Sequence, residues 1–386
     1  MALTSLEIKT RVPFAQGNQF GEVGPYEQID GIAHFSVDPN HPNNSLITDL
    51  ELAPRDSAGR VVFSSDFRIL RPIAPGRGNH RLLFDVVNRG NQMALRLFND
   101  VPPGAVPTAP LEPGNGFLMR QGFTVASCGW QHDIPEVPGL IGIHSPTAAN
   151  PANPISGKIA FSFHLGATSQ VQSLADRMHR PYPSSSLDGP DAVLTVQDNP
   201  AMPPQAIPRD KWAFARMEDG QIKPDDSNIY MAAGFDKGKS YRLIYSTNHA
   251  PLVGLGHLAT RDFVSFLRYR TSPEDNPCAG DSEYALAFGA SQSGRFLREF
   301  LYLALNEDEE NHTIFDGLIP HIAGGRRGEF NQRFGQPSST DNLSTGNLFP
   351  FADVVQTDSE TGNTDGLLSR MAAKGQAPKL FFTHSS

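Results

Sequence analysis

The stretch Gly289-Ala290-Ser291-Gln292-Ser293-Gly294 separates a strand-like segment from a helix-like segment of the chain. The preceding residues 284–288 are mostly apolar, and in the following segment apolar side chains recur at helical spacing, as in Phe296 and Phe300. A serine on a sharp turn between a buried strand and a helix is typical of a nucleophile elbow. The pattern therefore predicts that Ser291 is a catalytic nucleophile.

The residues around this serine fit the steric demand of such a turn. Small residues, Gly289 and Ser293, stand two positions before and two positions after Ser291, where larger side chains would collide. Ser293 is the weaker candidate for the nucleophile because Arg295, two positions after it, is too large. The alternative interpretation is a turn rich in Gly and Ser in which the serine is only the N-cap of the helix.

Composition limits the class of protein. The chain has 386 residues, of which 19% are charged and 39% hydrophobic, which is typical of a globular protein with a large core. Its net charge of -9 disfavours nucleic acid or an anionic membrane as the main partner. Apolar runs are too short to span a bilayer, and the N-terminus lacks the apolar segment of a signal peptide. We therefore predict a cytoplasmic protein, with secretion left open if a leader has been removed.

The order of strand-like and helix-like segments predicts an α/β fold with a central, mostly parallel sheet. Strand-like segments include 81–87, 123–128 and 240–245, and a helix is predicted over 258–268. Residues 1–75 are predicted to be β-rich. The whole chain, 1–386, is interpreted as one domain with a loop-rich insertion at 133–230 and a lid at 326–366.

Two regions are candidates for an oxyanion hole, the set of N–H donors that acyl transfer requires. One is the backbone N–H of Gln292, at the start of the helix, where the helix dipole favours negative charge. The other is the backbone of Arg89 or Gly90, in the loop that follows the strand at 81–87. An ordinary strand-exit turn explains this second region equally well.

The catalytic base and acid are harder to locate. In enzymes with this turn, the acid and then the histidine follow the serine along the chain. Only His312, His321 and His384 follow Ser291. The first lies beside an acidic run typical of a solvated loop, the second ends a buried strand and favours a structural role, and the third lies two residues from the end of the chain.

From about residue 20 onwards, the chain resembles the alpha/beta hydrolase domain family, whose members are mostly uncharacterised. The matching stretches, in order, are 24–27, 85–90, 116–122, 129–131, 254–256, 261–262, 289–295, 320–324, 331–334, 357–358, 364–368 and 378–382. The resemblance implies an alpha/beta-hydrolase fold with Ser291 as nucleophile. The family pattern continues with a Glu-Tyr-Trp-like stretch and a later His, both beyond the last residue here, so we expect a C-terminally truncated chain.

These observations predict a serine hydrolase that acts on a carboxylic ester or related acyl bond of a small molecule, inactive if the chain is truncated. One alternative is a non-catalytic, hydrolase-like binding protein. Another is a complete enzyme with a rearranged triad that uses His321 or His384 as base and Glu329 as acid. No cofactor and no metal is predicted, because the two cysteines lack zinc spacing and the oxygen-rich residues 358–365 lack calcium-loop spacing.

Overall fold

A computed structural model describes residues 2–74, 76–103, 107–150, 152–199, 201–339 and 348–385. The strands in this part of the chain are β1 (Leu3–Pro13), β2 (Tyr26–Val37), β3 (Val61–Pro72), β4 (Arg81–Asp85), β5 (Thr124–Cys128), β6 (Ile143–His144), β7 (Gly157–His164), β8 (Ser169–Ser173), β9 (Val193–Gln197), β10 (Gln205–Ile207), β11 (Trp212–Glu218), β12 (Gln221–Phe235), β13 (Ser240–Thr247), β14 (Tyr284–Ala290), β15 (Gly317–His321), β16 (Gln356–Thr357), β17 (Thr364–Asp365) and β18 (Lys379–Leu380). The α-helices are α1 (Ala94–Phe98), α2 (Phe117–Arg120), α3 (Leu255–Tyr269), α4 (Gln292–Tyr302) and α5 (Ser369–Lys374), and 3₁₀ helices span Phe14–Gly17, Pro42–Asn44, Leu50–Leu52 and Arg209–Lys211.

The main sheet has the order β1-β2-β3-β5-β4-β14-β15-β18, and β6 also pairs with β3. Neighbours from β1 to β5 are antiparallel, whereas β5, β4, β14, β15 and β18 run parallel to one another. The prediction of a mostly parallel sheet was therefore wrong: the sheet is mixed. The β-rich N-terminal segment forms long antiparallel strands that extend the parallel strands sideways, and helices are few.

Burial follows these two halves of the sheet. Along β2, side chains alternate between buried and half-buried, as expected for an antiparallel strand with one face on the core. Every residue of β5, and all of β4 except Arg81, is buried because structure covers both faces of the parallel strands. The parallel half of the sheet is thus the part that can hold a side chain or a turn rigidly.

Two helices complete the main core. In α3, all residues from Leu255 to Leu267 are buried, and α4 packs its apolar side chains against β14 and β15. Trp130 lies between the two layers, with its ring centroid 4.4 Å from that of Phe296, and its indole N–H donates to the Val87 carbonyl at 2.7 Å. The main core therefore includes the segments that precede and follow Ser291.

A second core lies between residues 159 and 245 and is rich in aromatic side chains. It is enclosed by a four-stranded sheet, β10-β9-β13-β7, and a three-stranded sheet, β11-β12-β8. The strand predicted at 240–245 exists as β13, but its assignment to the main sheet was wrong. Its side chains alternate in burial, and it pairs antiparallel with β7 and β9. Alternation of this kind is typical of an antiparallel strand with one buried face.

The segment predicted as a lid, 326–366, is only partly described, since residues 340–347 lie outside the described residues. The part before that gap contacts both cores. The Tyr182 hydroxyl of the second core donates to the Gly335 carbonyl at 2.7 Å, and the Asn331 carbonyl accepts from the Thr48 hydroxyl at 2.7 Å. The segment thus bridges the second core and the main domain, and its role as a lid stays a prediction.

Candidate functional site

Ser291 occupies the single-residue turn between β14 and α4. β14 ends at Ala290 and α4 begins at Gln292, so both elements lie where the sequence predicts them. The Ser291 backbone has φ 56° and ψ −110°, a sparsely populated conformation for a residue with a side chain. Its side chain is exposed and makes no capping hydrogen bond to the helix. The N-cap interpretation is therefore wrong, because that interpretation requires the hydroxyl to accept from the first turn of the helix.

The neighbouring small residues allow this sharp turn. A side chain at Gly289 would collide with the Ser293 carbonyl, and a Cβ at Gly294 would lie 2.9 Å from the Gly289 and His321 carbonyl oxygens. The Ser293 side chain is buried and bonds back to Ala290, donating to its carbonyl at 2.9 Å and accepting from its N–H at 3.1 Å. Its hydroxyl holds the turn together, whereas the Ser291 hydroxyl is exposed.

The turn lies at a topological switch point of the sheet, where successive strands are placed on opposite sides of β4. From β4 the chain moves to β5 on one side, and β14 later pairs with β4 on the other side. In open α/β sheets, ligands bind beside the carboxyl ends of the strands at such a switch point. The Asn88 side-chain amide in the loop after β4 donates to the Ala290 carbonyl at 2.8 Å. That bond joins the loop to the residue that precedes Ser291.

The two predicted sources of oxyanion donors lie in these adjoining segments. Gln292 is the first residue of α4, and first-turn N–H groups have no partner within their own helix. The Arg89 N–H already donates to the Gln131 side-chain oxygen at 2.9 Å. Gly90 has φ 79°, and its N–H has no hydrogen bond within the described residues. The geometry therefore favours Gly90 over Arg89 as a donor.

The residues predicted as an alternative base and acid, His321, His384 and Glu329, have no side-chain hydrogen bond to the Ser291 hydroxyl within the described residues. The His321 carbonyl accepts from the Ser291 N–H at 2.9 Å, but its imidazole Nδ1 lies 2.8 Å from the Thr383 hydroxyl. His384 is exposed, without a hydrogen bond to the residues that the structure describes. The Glu329 carboxylate accepts from the Gln336 N–H at 3.0 Å, and burial raises its pKa. In the described part of the chain, no histidine nitrogen is hydrogen-bonded to the Ser291 hydroxyl.

Sequence reasoning missed two side chains that shape this site, Gln131 and Asp85. Gln131 is buried, accepts from Arg89, and donates to the Ser338 hydroxyl at 3.1 Å. Asp85 ends β4, accepts from the N–H groups of Met93 and Ala94 at 2.8 and 2.9 Å, and burial raises its pKa to about 7. Gln131 follows β5 and Asp85 ends β4, and these two buried strands are neighbours in the sheet. Their position at the strand ends was the sequence feature that could have indicated them.

Among the described residues, three or more His, Cys, Asp or Glu side chains are nowhere grouped so that they could hold a metal ion. No helix in the same part of the chain has the length and apolarity needed to cross a bilayer. Residues 358–365 form a hairpin-like turn in which Asp358 accepts from the Thr361 N–H at 3.3 Å.

Comparison with known proteins finds a similarity to one family over part of the chain. The family model described as "Alpha/beta hydrolase domain" matches residues 204–376, a range that contains α3, β14, Ser291, α4 and β15. Neither the curated proteins nor the solved structures provide a match. The matched range begins in the second core and ends just after α5. Over residues 204–376, this chain is similar to the alpha/beta hydrolase domain family.

Proposed function

We propose that this chain is a serine hydrolase whose nucleophile is Ser291 and whose substrate contains a carboxylic ester or a related acyl bond. The observation that carries the proposal is the strained backbone of an exposed serine between β14 and α4. Such strain costs of order 1–3 kcal/mol and is concentrated at functional sites. A structural serine would gain nothing from this conformation, whereas a nucleophile gains an accessible hydroxyl.

The proposed mechanism begins with attack of the Ser291 oxygen on the substrate carbonyl carbon. The carbonyl oxygen then becomes an oxyanion, for which the N–H groups of Gln292 and Gly90 are the proposed donors. Two features support this assignment: Gln292 starts a helix whose dipole favours negative charge, and the Gly90 N–H is unoccupied within the described residues. Collapse of the intermediate expels the alcohol, and water then hydrolyses the acyl-enzyme.

The proton acceptor is a separate question. His321 is the histidine whose backbone bonds directly to Ser291, so we propose it as the first base to test. A bond between its Nδ1 and Thr383, rather than a carboxylate, orients its ring. A neutral partner stabilises an imidazolium less than a carboxylate does, so a base held in this way predicts slow turnover.

The same contacts favour one rival, a non-catalytic binding protein with a hydrolase-like fold. The observation behind it is that no histidine nitrogen is bonded to the Ser291 hydroxyl in the described part of the chain. The rival and the hydrolase differ in one measurable property, the reactivity of Ser291 towards electrophiles. A fluorophosphonate probe reports that reactivity directly.

The test is labelling with a fluorophosphonate followed by mapping of the modified peptide. We expect the label on Ser291, its loss in Ser291→Ala, and its retention in Ser293→Ala at reduced yield because that variant loses two hydrogen bonds inside the turn. Ser185→Ala, an exposed serine of the second-core region, is the matched control and should label like the parent chain. A label that survives Ser291→Ala would overturn the assignment, and absence of any label would favour the binding protein.

A further inference from the structure

A cavity of about 390 Å³ adjoins the loop between β4 and α1. Its volume lies within the range of small-molecule sites, roughly 300–1,000 Å³. Asn88, which bonds to the residue before Ser291, forms part of its wall, as does Arg89. Through Asn88, the wall of the cavity is joined by a hydrogen bond to the residue that precedes the candidate nucleophile.

The charged residues of this wall are mostly arginines. Arg68, Arg89, Arg96 and Arg177 line the cavity, and Glu112 is the acidic residue that accompanies them. The excess of positive charge is unusual in a chain whose net charge is -9. A wall of guanidinium groups is the arrangement that proteins use to bind carboxylates and phosphates.

Two of these four arginines have no carboxylate partner within the described residues. Arg68 pairs with Asp30 at 2.5 Å, but Arg177 reaches the carboxylate of its neighbour Asp176 only at 4.0 Å. Within the described residues, Arg96 and Arg89 have no ion pair, and the Arg89 guanidinium donates to the Asn88 side-chain oxygen at 3.1 Å. The guanidinium N–H groups that the protein leaves unused can therefore donate hydrogen bonds to an anionic ligand.

The electrostatic environment of Arg89 agrees with this geometry. Burial lowers the pKa of its guanidinium, the positive charges of Arg177 and Arg295 act in the same direction, and Asp176 and Asp133 oppose them. Bringing these cations together costs free energy that a bound anion would recover. The Arg295 side chain has no hydrogen bond or ion pair of its own within the described residues.

Apolar side chains form another part of the wall, beside the polar Asn88, Asn91 and Gln92. Met93, Leu95 and Val101 line the cavity together with several prolines. Asp85 fixes the start of α1 by accepting from Met93 and Ala94, so Leu95 and Arg96 are held on a defined element. A wall that combines apolar side chains with arginines fits a hydrocarbon chain that carries an anion better than it fits inorganic phosphate alone.

We infer that this cavity binds the carboxylate-bearing acyl chain of the substrate, so that the enzyme prefers monoesters of dicarboxylic acids over neutral esters of equal length. This inference rests on the proposed function, because it takes Ser291 as the nucleophile and the bond from Asn88 to Ala290 as the link between the cavity and the turn. It narrows the substrate class from any ester to anionic ones. Charge-assisted hydrogen bonds from arginine make the expected preference about 10- to 100-fold in kcat/KM.

The experiment compares p-nitrophenyl hydrogen adipate with p-nitrophenyl hexanoate, which has the same chain length without the carboxylate. The parent chain should hydrolyse the adipate with the higher kcat/KM. Arg96→Gln combined with Arg177→Gln should abolish the preference by lowering kcat/KM for the adipate alone. Arg242→Gln, an exposed arginine of β13 outside the cavity, is the matched control and should leave the ratio unchanged.

A binding arm separates the two proposals. Adipate should bind the Ser291→Ala chain in calorimetry, and the double arginine variant should weaken that binding about 10- to 100-fold. Hydrolysis without a preference for adipate would overturn the inference and leave the proposed function intact. Adipate binding that requires the arginines, without hydrolysis, would support the cavity and overturn the proposed function. Absence of both binding and hydrolysis would overturn both.

Discussion

The main core and the second core contain the same kinds of apolar side chains, but the chain assembles them differently. The second core is built from one stretch, residues 159–245, through antiparallel strands that all come from that part of the chain. The main core joins residues from Ala2 to Met371. A strained turn such as that of Ser291 needs packing from many directions, and the turn lies between elements that contribute to the main core. We therefore predict that chemistry belongs to the main sheet and that the second core supplies local stability.

The largest expected effect is the loss of activity on removal of the Ser291 hydroxyl. Ser291→Ala should lower kcat/KM for p-nitrophenyl esters by at least about 10³-fold, because no nucleophile remains to form the acyl-enzyme. Its free energy of unfolding should hardly change, since the hydroxyl is exposed and caps nothing. Steady-state kinetics and urea unfolding of the same preparation check both halves. Activity close to that of the parent chain would contradict the assignment.

The reverse pattern is expected in the second core. The ring of Phe163 is buried and stacks with Tyr241 at 5.1 Å and with Phe161 at 5.6 Å. Phe163→Ala should lower the free energy of unfolding by about 3–5 kcal/mol through the lost packing and the cavity left behind. The activity per folded molecule should stay within about threefold of the parent chain if chemistry belongs to the main sheet.

Ile222→Ala is the control for this second change, because Ile222 is an apolar residue of the same region with 53% of its surface exposed. Its effect on stability should stay within about 0.5 kcal/mol. If Phe163→Ala abolished activity in molecules that remain folded, the division of roles between the two cores would be wrong.

A smaller effect is expected from Gly289→Ala, which places a methyl group against the Ser293 backbone. Relief of that collision must move the turn, so we expect a loss of about 1–3 kcal/mol in stability together with at least tenfold lower activity. Gly166→Ala is the matched control, since its backbone has space for a methyl group and an ordinary conformation. Equal behaviour of the two variants in unfolding and kinetic assays would show that the turn is not sterically constrained.

The smallest expected effect concerns His257, a buried residue of α3 whose ring nitrogens both have no partner within the described residues. Its ring stacks on Phe296 at 4.2 Å, and burial lowers its pKa to about 3. Below the ordinary pKa of 6.5, the unfolded chain binds a proton that the folded chain does not bind. Burial of the neutral imidazole therefore costs no stability through protonation above about pH 6.5. As the pH falls from 6.5 towards 3, proton binding by the unfolded chain lowers the free energy of unfolding.

The measurement is urea unfolding of the parent chain and of His257→Phe at pH 7, 6 and 5. Between pH 6 and 5, this histidine should lower the free energy of unfolding of the parent chain by up to about 1.4 kcal/mol. The variant should lack this decrease. The phenylalanine keeps the stacked geometry and removes the unpaired nitrogens, so the variant should also be the more stable at pH 7. Parallel curves for the two proteins would contradict this account.

Local pattern was sufficient to predict the strand and helix around Ser291. Buried parallel strands such as β4 and β5 are continuous apolar runs that end abruptly, and sequence reveals these features. The strands that pair with β13 could not be predicted, because alternation in one strand predicts an exposed face and does not identify the sheet that the strand joins. The mixed character of the main sheet was missed for the same reason, since direction depends on pairing between residues far apart in sequence.

The same limit applies to the candidate site. The sequence indicated Ser291, and the strand-exit loop drew attention to Arg89 and Gly90, but it did not indicate which N–H is free. That distinction depends on Gln131, which lies 42 positions after Arg89 and occupies its N–H. The cavity lined by arginines could not be predicted for a similar reason. Its arginines come from β3, the loop after β4, α1 and the loop after β8, which are far apart in sequence.

The central claim is that Ser291 is a nucleophile whose oxyanion is held by the N–H groups of Gln292 and Gly90. A crystal structure of the chain treated with a small fluorophosphonate tests it most directly. We predict a covalent bond from the Ser291 Oγ to phosphorus, with one phosphoryl oxygen about 2.7–3.1 Å from both N–H nitrogens. A phosphorus bound to a different serine, or a phosphoryl oxygen pointing away from Gln292 and Gly90, would contradict the claim.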